Sequence, residues 1–306
     1  MSPDFISIIV PAHNEEQYLS QCLTSLLNQN YPPNRYEIIL VNNNSTDRTQ
    51  EIAKSFGVTV IEQNHGPVGA VRNAGAKQAK GNILAFIDAD CVAPRNWLST
   101  GFESISKDEA TYGGGYNLRS DPFWIEKAWL LDNKNAPKDL IGGSIIIEKS
   151  KFFEVGGFDE SITSGEDTKL SASLRDIGIK IIMKPELNVV HLGNPITLKH
   201  FFTRQIWHSE NYIKDIENSL KDPTFYLVTA FLIGSFATLI LLASNNIASS
   251  LFPITVTLLL PFFLTAKRLS RSKNPVNNLQ NLFAIYFLDL LYLNARSIGL
   301  LKGLFK

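Results

Sequence analysis

The sequence predicts an α/β domain with a mostly parallel sheet flanked by helices, followed by an α-helical membrane region. Short apolar segments alternate with segments of helical periodicity over the first 90 residues, a pattern typical of parallel sheets covered on both faces. Polar clusters follow three of these apolar segments. Toward the other end, residues 225–266 contain no Asp, Glu, Lys, Arg or His, which is typical of membrane-spanning helices.

The individual elements follow from periodicity and from residues that favour turns and helix starts. Strands are predicted over residues 5–11, 37–41, 58–62 and 83–88. Helices are predicted over residues 15–28, 50–56 and 67–79. The side chains expected to share the buried face of the first helix are Leu19, Leu23, Leu26 and Leu27. The polar clusters at 13–15, 42–47 and 88–90 then lie at the carboxyl ends of strands, where such sheets bind ligands.

The overall composition excludes several classes of protein. Lys plus Arg and Asp plus Glu each number 29 in 306 residues. A chain without net charge lacks the basic field of a nucleic-acid-binding protein, so no nucleic-acid partner is expected. With 44% hydrophobic residues the chain is too apolar to be a disordered tail. Its two cysteines, Cys22 and Cys91, are too few for a disulfide framework.

Two familiar nucleotide-binding loops do not occur in the sequence. A dinucleotide-binding sheet needs Gly-x-Gly-x-x-Gly after its first strand, whereas residues 11–16 are Pro-Ala-His-Asn-Glu-Glu. The Walker A pattern is found nowhere in the chain. Neither a dinucleotide-binding enzyme nor a P-loop NTPase is therefore expected.

Asp88 and Asp90 form a carboxylate pair at the end of the fourth predicted strand. Residues two apart in an extended segment point the same way, and like charges so close are unfavourable unless a cation neutralises them. A hard divalent ion bound by one or two carboxylates together with substrate phosphates would do so. The alternative is an N-cap cluster for a helix beginning near Pro94, and the residues alone leave both open.

A second acidic pair, Glu166 and Asp167, opens a predicted helix. Acidic residues in a first turn complement the helix dipole, which is one explanation for the pair. A carboxylate there could instead serve as a general base toward a hydroxyl.

Five segments, in chain order, resemble family 2 glycosyltransferases. Residues 7–16 and 40–47 resemble the opening of the family, and Asp88-Ala89-Asp90 its Asp-x-Asp motif. Residues 69–75 resemble its Arg-Asn-x-Gly element, and residues 156–175, through Gly165-Glu166-Asp167, its acceptor-side segment. The resemblance implies a GT-A fold, a nucleotide-diphosphate sugar donor of the UDP or GDP type, and a divalent metal, Mn²⁺ or Mg²⁺.

The resemblance also implies roles for individual residues. The implied donor-binding positions are Pro11, His13, Glu15, Asn43, Arg72 and Asp88, with Arg72 near the phosphates. The implied metal positions are Asp90 and His191, although His191 could equally be a histidine satisfied at a strand end. Asp167 is the implied catalytic base, with Glu166 beside it. Asn43 stands where many members have an Asp that contacts the nucleobase, so the identity of the donor nucleotide stays open between UDP and GDP.

The expected reaction is a metal-dependent, inverting transfer of a sugar to an acceptor hydroxyl. Processive relatives carry Gln-x-x-Arg-Trp late in the domain, whereas residues 203–207 are Thr-Arg-Gln-Ile-Trp, so a single addition is expected. Two alternatives remain open. One is a catalytically silent membrane protein that binds nucleotide sugars, and the other is a sugar nucleotidyltransferase.

The charge-free segment predicts two membrane crossings. As a single helix, residues 225–266 would extend roughly 63 Å, about twice the thickness of a bilayer core. A turn at Ser244-Asn245-Asn246 would divide the segment into helices over 225–243 and 247–266. The cations that follow, Lys267, Arg268, Arg271 and Lys273, predict that this side is cytoplasmic. A multi-pass membrane protein with a cytoplasmic catalytic domain, residues 1–222, is therefore expected; a buried helix pair is the alternative.

Two further segments of the chain have a membrane-proximal pattern. Residues 195–222 predict an amphipathic helix, either at the level of the lipid headgroups or packed on the protein. Residues 282–305, within a membrane region over 223–306, predict a third helix that is interfacial or transmembrane. Asp289 and Arg296, seven residues apart, are expected on one face of it. An active site held near the bilayer favours a lipid-linked or polyprenyl-linked acceptor.

Overall fold

The computed structural model describes residues 5–64, 66–131, 137–210, 212–213, 216–272, 276 and 278–305. Lys273, one of the cations used to predict orientation, lies outside these residues. The strands are β1 (Ile6–Ala12), β2 (Tyr36–Asn42), β3 (Thr59–Glu62), β4 (Ile83–Phe86), β5 (Cys91–Val92), β6 (Ala110–Gly113), β7 (Tyr116–Asn117), β8 (Ile145–Glu148), β9 (Lys180–Met183) and β10 (Val189–His191).

The helices are α1 (Leu19–Leu27), α2 (Thr49–Ser55), α3 (Val68–Gln78), α4 (Trp97–Ile105), α5 (Trp124–Leu130), α6 (Lys149–Glu154), α7 (Glu166–Asp176), α8 (Leu198–Ser209), α9 (Ile216–Ser219), α10 (Pro223–Ala243), α11 (Ile247–Arg271) and α12 (Leu279–Leu304). The described residues divide into two compact units. The first is drawn from Met1–Arg119 and Ala136–Gly193, and the second from Ser120–Asn135 and Asn194–Lys306.

The first unit contains a seven-stranded sheet in the order β3-β2-β1-β4-β8-β6-β9. Only β8 runs against its neighbours, and every other neighbouring pair is parallel. The predicted mostly parallel sheet is thus confirmed. A second, three-stranded sheet has the order β5-β10-β7.

The sheet is apolar on both faces because helices cover both. Ile8 packs in one core cluster with Leu23 of α1, whereas Ile9 packs in the other with Val71 of α3. Adjacent residues of one strand point to opposite faces, so a strand covered on both sides has an unbroken apolar run, as β1 does.

One residue of the predicted buried face of α1 is placed differently. Leu19, Leu23 and Leu26 are fully buried, but Leu27 is 47% exposed. At 3.6 residues per turn, Leu27 lies about 80° around the helix from Leu19, at the margin of the apolar stripe. The prediction for Leu27 was therefore wrong.

The second unit consists of α5 and α8 to α12. Three of these helices, α10, α11 and α12, are long and apolar enough to cross a membrane. The predicted turn lies between α10 and α11, with Asn245 in the left-handed backbone region at a φ of 56°. The contacts group α5 and α8, which precede residue 222, with the apolar helices. The domain boundary at residue 222 stays a prediction.

The predicted amphipathic helix over 195–222 is shorter than expected. The main helix, α8, ends at Ser209, and α9 is a separate four-residue helix. α8 packs on α12, where Gln205 Oε1 accepts a hydrogen bond from Arg296 Nε at 3.4 Å. Phe201 is buried, while Trp207 on the same helix is 48% exposed.

Asp289 and Arg296 have different partners, although both belong to α12. Asp289 is fully buried and pairs with Arg268 of α11, the Nη2–Oδ1 distance being 2.7 Å. Arg296 instead donates to Tyr212 Oη at 2.5 Å. A shared helix face therefore does not give the two residues a shared partner.

Candidate active site

The loops that follow β1 and β2 are joined by hydrogen bonds at the carboxyl edge of the sheet. The His13 Nδ1 atom lies 2.7 Å from the Asn43 carbonyl oxygen. The Asn14 amide oxygen accepts from the Thr46 backbone N–H at 2.8 Å, and the Glu15 N–H donates to Thr49 Oγ1 at 2.7 Å. Asn14 has a φ of 56°, a conformation that Asn tolerates better than most residues. These contacts fix His13 and Glu15 relative to β2.

The Asn43 side chain holds a third loop in place. Its amide nitrogen donates to the Gly66 carbonyl at 3.1 Å, and its amide oxygen accepts from the Gly66 N–H at 3.2 Å. A carboxylate could accept but not donate, so an Asp here could make only one of the two bonds. The contact of Asn43 with the nucleotide base stays a prediction.

The carboxylates of Glu15, Asp88 and Asp90 lie close enough to influence one another where β1 and β4 end. Burial, followed in order of size by the negative charges of Asp90, Asp88 and Asp47, raises the pKa of Glu15 to about 8. Such a site is electrostatically unfavourable for anions alone. A bound cation reverses this effect, because it is the largest local charge in such a site.

Pairing of the short strands β10 and β5 brings His191 beside Asp90. The two strands are antiparallel, and His191 stands opposite Cys91 in the register. His191 Nε2 lies 3.3 Å from Asp90 Oδ2, and the Cys91 thiol donates to Asp90 Oδ1 at 3.6 Å. One ligand atom from each of these three residues lies within 4.8 Å of the others.

These donor atoms fit a divalent metal. A carboxylate oxygen and an imidazole nitrogen are common ligands of divalent first-row ions, and carboxylate oxygens suit Mn²⁺ and Mg²⁺. The Cys91 sulfur donates a hydrogen bond to Asp90. A sulfur that donates is a protonated thiol, so Cys91 lies beside the ligand residue Asp90 in its thiol form. Asp90 and His191 are therefore the residues that would hold the ion.

Tyr116 supports His191 from one side and was not predicted from the sequence. Its ring makes an edge contact with the imidazole, the ring centroids being 4.7 Å apart. The contact arises because β7, the strand of Tyr116, pairs with β10. Burial raises the pKa of Tyr116 well above its ordinary value, so the phenol stays protonated.

Arg72 is buried between two acidic residues from distant parts of the chain. Its side chain is 3% exposed, with Nη2 2.5 Å from Asp88 Oδ1 and Nη1 2.6 Å from Glu166 Oε1. Burial acts to lower the pKa of the guanidinium, but the two carboxylates outweigh it and hold the pKa above its ordinary value. Arg72 thus links the end of β4 to the start of α7.

Asp167 follows Glu166 at the start of α7 and is held by backbone donors. Its Oδ2 accepts from the Gly142 N–H at 3.1 Å, and its Oδ1 accepts from the Thr168 N–H at 2.7 Å. Burial raises the pKa of Asp167, and the charge of Glu166 raises it further. Both effects make Asp167 a better proton acceptor than an ordinary aspartate once it is ionised.

Gly142 and Asn73 shape this side of the site, and neither was assigned a role from the sequence. A side chain on Gly142 would meet the guanidinium of Arg72. Asn73 is 4% exposed; it accepts from the Phe158 N–H at 3.0 Å and donates to the Phe158 carbonyl at 2.8 Å. The Gly142-Gly143 pair was a turn signal that could have drawn attention to this loop.

Seven of the predicted site residues fall into two groups within the first unit. One group, around Glu15, Asp88 and Asp90, includes His191. The other, around Arg72, comprises Glu166 and Asp167, and Asp88 belongs to both. Pro11 lies buried in β1 opposite Val41, while His13 is exposed at the sheet edge.

Comparison with known proteins gives one family. The model of the family described as Glycosyl transferase family 2 matches residues 7–158. Glycosyltransferase AglE of Haloferax volcanii is 30% identical over 209 residues, which cover 62% of this chain and 68% of that protein.

A second relative is known from Methanococcus voltae, where it is described as dolichyl N-acetyl-alpha-D-glucosaminyl phosphate 3-beta-D-2,3-diacetamido-2,3-dideoxy-beta-D-glucuronosyltransferase. It is 28% identical over 214 residues, which cover 60% of this chain and 65% of that protein. Other matched relatives are longer, and the chain spans only 16% and 23% of the length of two of them.

A solved structure shares the fold. Mannosyltransferase PcManGT from Pyrobaculum calidifontis, in complex with GDP-Man and Mn²⁺, superposes with a TM-score of 0.62 at 15% identity. The match covers 98% of this chain and 88% of that one.

Proposed function

Because this chain belongs to glycosyl transferase family 2 and has the GT-A fold, we propose that it moves a sugar from a UDP-type or GDP-type donor to an acceptor hydroxyl. The observation that carries the proposal is the pairing of Asp90 with His191 beside Asp88 and Glu15 at the carboxyl edge of the sheet. The class of enzyme is a glycosyltransferase, and the inverting, single-addition reaction is the finer proposal.

The acidic cluster supports binding of a diphosphate together with a cation. Three carboxylates repel a diphosphate unless a cation lies between them. A divalent ion, Mn²⁺ or Mg²⁺, would be held by Asp90 and His191 and would neutralise charge on the leaving diphosphate. His13, which is exposed, and Asn43 are proposed to contact the nucleoside, and Pro11, which is buried in β1, is proposed to line the same site.

Asp167, rather than Glu166, is assigned as the base that accepts the proton of the acceptor hydroxyl. The Glu166 carboxylate already pairs with Arg72 at 2.6 Å. Asp167 is aligned by two backbone donors and has a raised pKa. Removal of the proton lets the hydroxyl oxygen attack the anomeric carbon from the face opposite the diphosphate, which inverts that centre.

Arg72 is proposed to position Asp88 and Glu166. Both of its Nη groups are bonded to carboxylates, and its side chain is 3% exposed. A direct contact with the donor phosphates, as the family resemblance implies, would require one of these ion pairs to open. Phosphate binding by Arg72 therefore stays a prediction.

The second unit supports a membrane location. Residues on α10 and α11 such as Ile233, Ile240 and Phe252 are 64%, 65% and 78% exposed, which suits contact with lipid. We propose that α10 and α11 cross the bilayer, that α12 packs beside them, and that the catalytic domain is cytoplasmic. A lipid-linked or polyprenyl-linked acceptor agrees with this location and with the dolichyl N-acetyl-alpha-D-glucosaminyl phosphate in the name of the Methanococcus voltae relative.

The test is a transfer assay with the full chain in detergent. Labelled UDP-sugars and GDP-sugars are offered with Mn²⁺ to a polyprenyl-phosphate-linked acceptor and to a soluble glycoside, and product is followed by chromatography. Asp167→Asn should bind donor but lose transfer by a factor of about 10²–10⁴. Asp176→Asn, at the exposed end of the same helix, should transfer at the wild-type rate. Transfer by Asp167→Asn at the wild-type rate would contradict the assignment of Asp167 as the catalytic base.

A further inference from the structure

A basic cavity lies at the C-terminal end of α11, within the second unit. Its volume is about 190 Å³, well above the roughly 10–15 Å³ that one water molecule needs. Helix α5 and the residue after it contribute one wall, and the last turns of α11 contribute the other. We call this cavity the α11 basic pocket, and it is lined by Leu130, Leu131, Leu264, Lys267, Arg268 and Arg271.

The described lining of the α11 basic pocket carries excess positive charge. Lys267 and Arg271 are exposed, and neither forms an ion pair with any residue that the structure describes. Arg268 has one carboxylate partner, Asp289. Two of the three cations are thus uncompensated by described side chains, so the pocket attracts anions.

Arg268 is held rigidly within this pocket. Its Nη2 lies 2.7 Å from Asp289 Oδ1, and its Nη1 donates to the Trp129 carbonyl at 2.9 Å. The guanidinium carbon lies 3.9 Å from the centroid of the Trp129 ring. Asp289 is itself fixed by a 2.9 Å hydrogen bond from Thr265 Oγ1. A guanidinium fixed in this way loses little freedom when an anion binds.

The rest of the lining is apolar and continues into surfaces suited to lipid. Three leucines face the cavity, and Phe262 and Phe263 on α11 are 57% and 62% exposed. A free inorganic anion would gain nothing from leucine side chains, whereas a phosphate attached to hydrocarbon would gain from both parts of the lining. Cations at the end of α11 also complement its dipole, but that role requires neither the bracing by Trp129 nor a leucine wall.

We propose that the α11 basic pocket binds the phosphate group of an anionic membrane lipid. Lys267 and Arg271 contact the phosphate oxygens, Arg268 provides a fixed positive charge behind them, and the leucines contact the first carbons of the lipid. Basic pockets between helices on the cytoplasmic side of membrane proteins bind anionic headgroups in this way. The phosphate could belong to a bilayer phospholipid or to a polyprenyl phosphate, and the test separates these two sources.

Binding is measured on the full chain in detergent by native mass spectrometry. Four probes are titrated separately: phosphatidylglycerol, undecaprenyl phosphate, phosphatidylcholine and sodium phosphate. The test variant is Lys267→Ala/Arg271→Ala, in which both substituted residues are exposed. The control is Lys199→Ala/Lys302→Ala, which removes two exposed lysines from α8 and α12 and so matches the change in net charge.

We expect one tightly bound molecule of at least one anionic lipid on the wild type, and an affinity at least tenfold lower for the test variant. The control should bind that lipid as the wild type does. Tighter binding of phosphatidylglycerol would identify a bilayer lipid, and tighter binding of undecaprenyl phosphate a polyprenyl phosphate. Equal binding by the test variant, equal loss in the control, or a preference for phosphatidylcholine or sodium phosphate would overturn the proposal. Donor binding at the sheet edge is independent of this result.

Discussion

Arg72 and Glu166 are separated by 94 residues in the chain, yet they form a buried ion pair with 2.6 Å between Nη1 and Oε1. Arg72 also holds Asp88 at 2.5 Å. Through the Arg72 side chain, Asp88, two residues after the end of β4, and the first turn of α7 have a defined spacing. Asp167, the next residue along, lies in the same first turn and is held by the Gly142 and Thr168 N–H groups.

The first prediction concerns stability. Arg72→Met should leave Asp88 and Glu166 without their cation, and breaking a buried pair in this way costs about 3–5 kcal/mol of the free energy of unfolding. The thermal midpoint should fall clearly in a differential scanning experiment on the full chain. Arg48→Met removes a similar cation from the exposed pair with Glu51 and should change stability by less than about 1 kcal/mol. Similar midpoints for the two variants would contradict the buried role of Arg72.

The second prediction concerns pH. As the proposed base, Asp167 must be ionised to accept a proton, and its pKa is raised by burial and by Glu166. Activity should therefore rise with increasing pH, with an acid limb at a higher pH than an ordinary aspartate would give. Glu166→Gln removes a negative neighbour, which lowers the pKa of Asp167 and should move this limb to lower pH. The measurement is kcat/KM against pH at saturating Mn²⁺; an unmoved limb would mean that another group controls it.

The third prediction concerns the metal. EDTA should abolish transfer, and excess Mn²⁺ or Mg²⁺ should restore it. Asp90→Asn and His191→Ala should each raise the concentration of metal needed for half-maximal activity, because each removes a proposed ligand atom. Asp108→Asn, which alters an acidic residue beside Tyr112 instead, should leave that concentration unchanged. Undiminished activity in EDTA would exclude the proposed role of Asp90.

The fourth prediction concerns the amide at position 43. Asn43→Asp loses the hydrogen bond to the Gly66 carbonyl and places a negative charge against that oxygen. The variant should be less stable by about 1 kcal/mol, seen as a lower thermal midpoint. Asn64→Asp, an exposed change of the same type nearby, should have no such effect. A change in the relative binding of UDP and GDP in Asn43→Asp alone would further support a contact with the base.

The N-terminal elements could be predicted from the sequence because they depend on local pattern. Strand β1 was placed within one residue at each end, since Ile8, Ile9 and Val10 form an apolar run that ends at polar residues. The exposure of Leu27 was not predicted, because spacing alone does not define the edge of a buried stripe. Strand β4 was predicted two residues too long, as Asp88 begins a turn closed by the Cys91 N–H.

Elements that form by pairing with segments distant in the chain could not be predicted from the sequence. Strands β5 and β7 have two residues each, too few to show any periodicity. Helix α5 was also missed, although its Trp129 braces Arg268. The family resemblance could name His191, but only the β10–β5 register shows how it comes to lie against Asp90.

The sequence by itself determined the alternation of strands and helices, the acidic residues at the strand ends and the long apolar segment, because each depends on residues close together in the chain. The tertiary structure decided which charged residues form ion pairs. Asp289 pairs with Arg268 rather than sharing a partner with Arg296. Glu166 pairs with Arg72, whereas the neighbouring Asp167 accepts hydrogen bonds from backbone N–H groups. The physical reason is that a buried charge is stabilised by whichever opposite charge or donor the folded chain brings within hydrogen-bonding distance, and sequence separation carries no information about that distance.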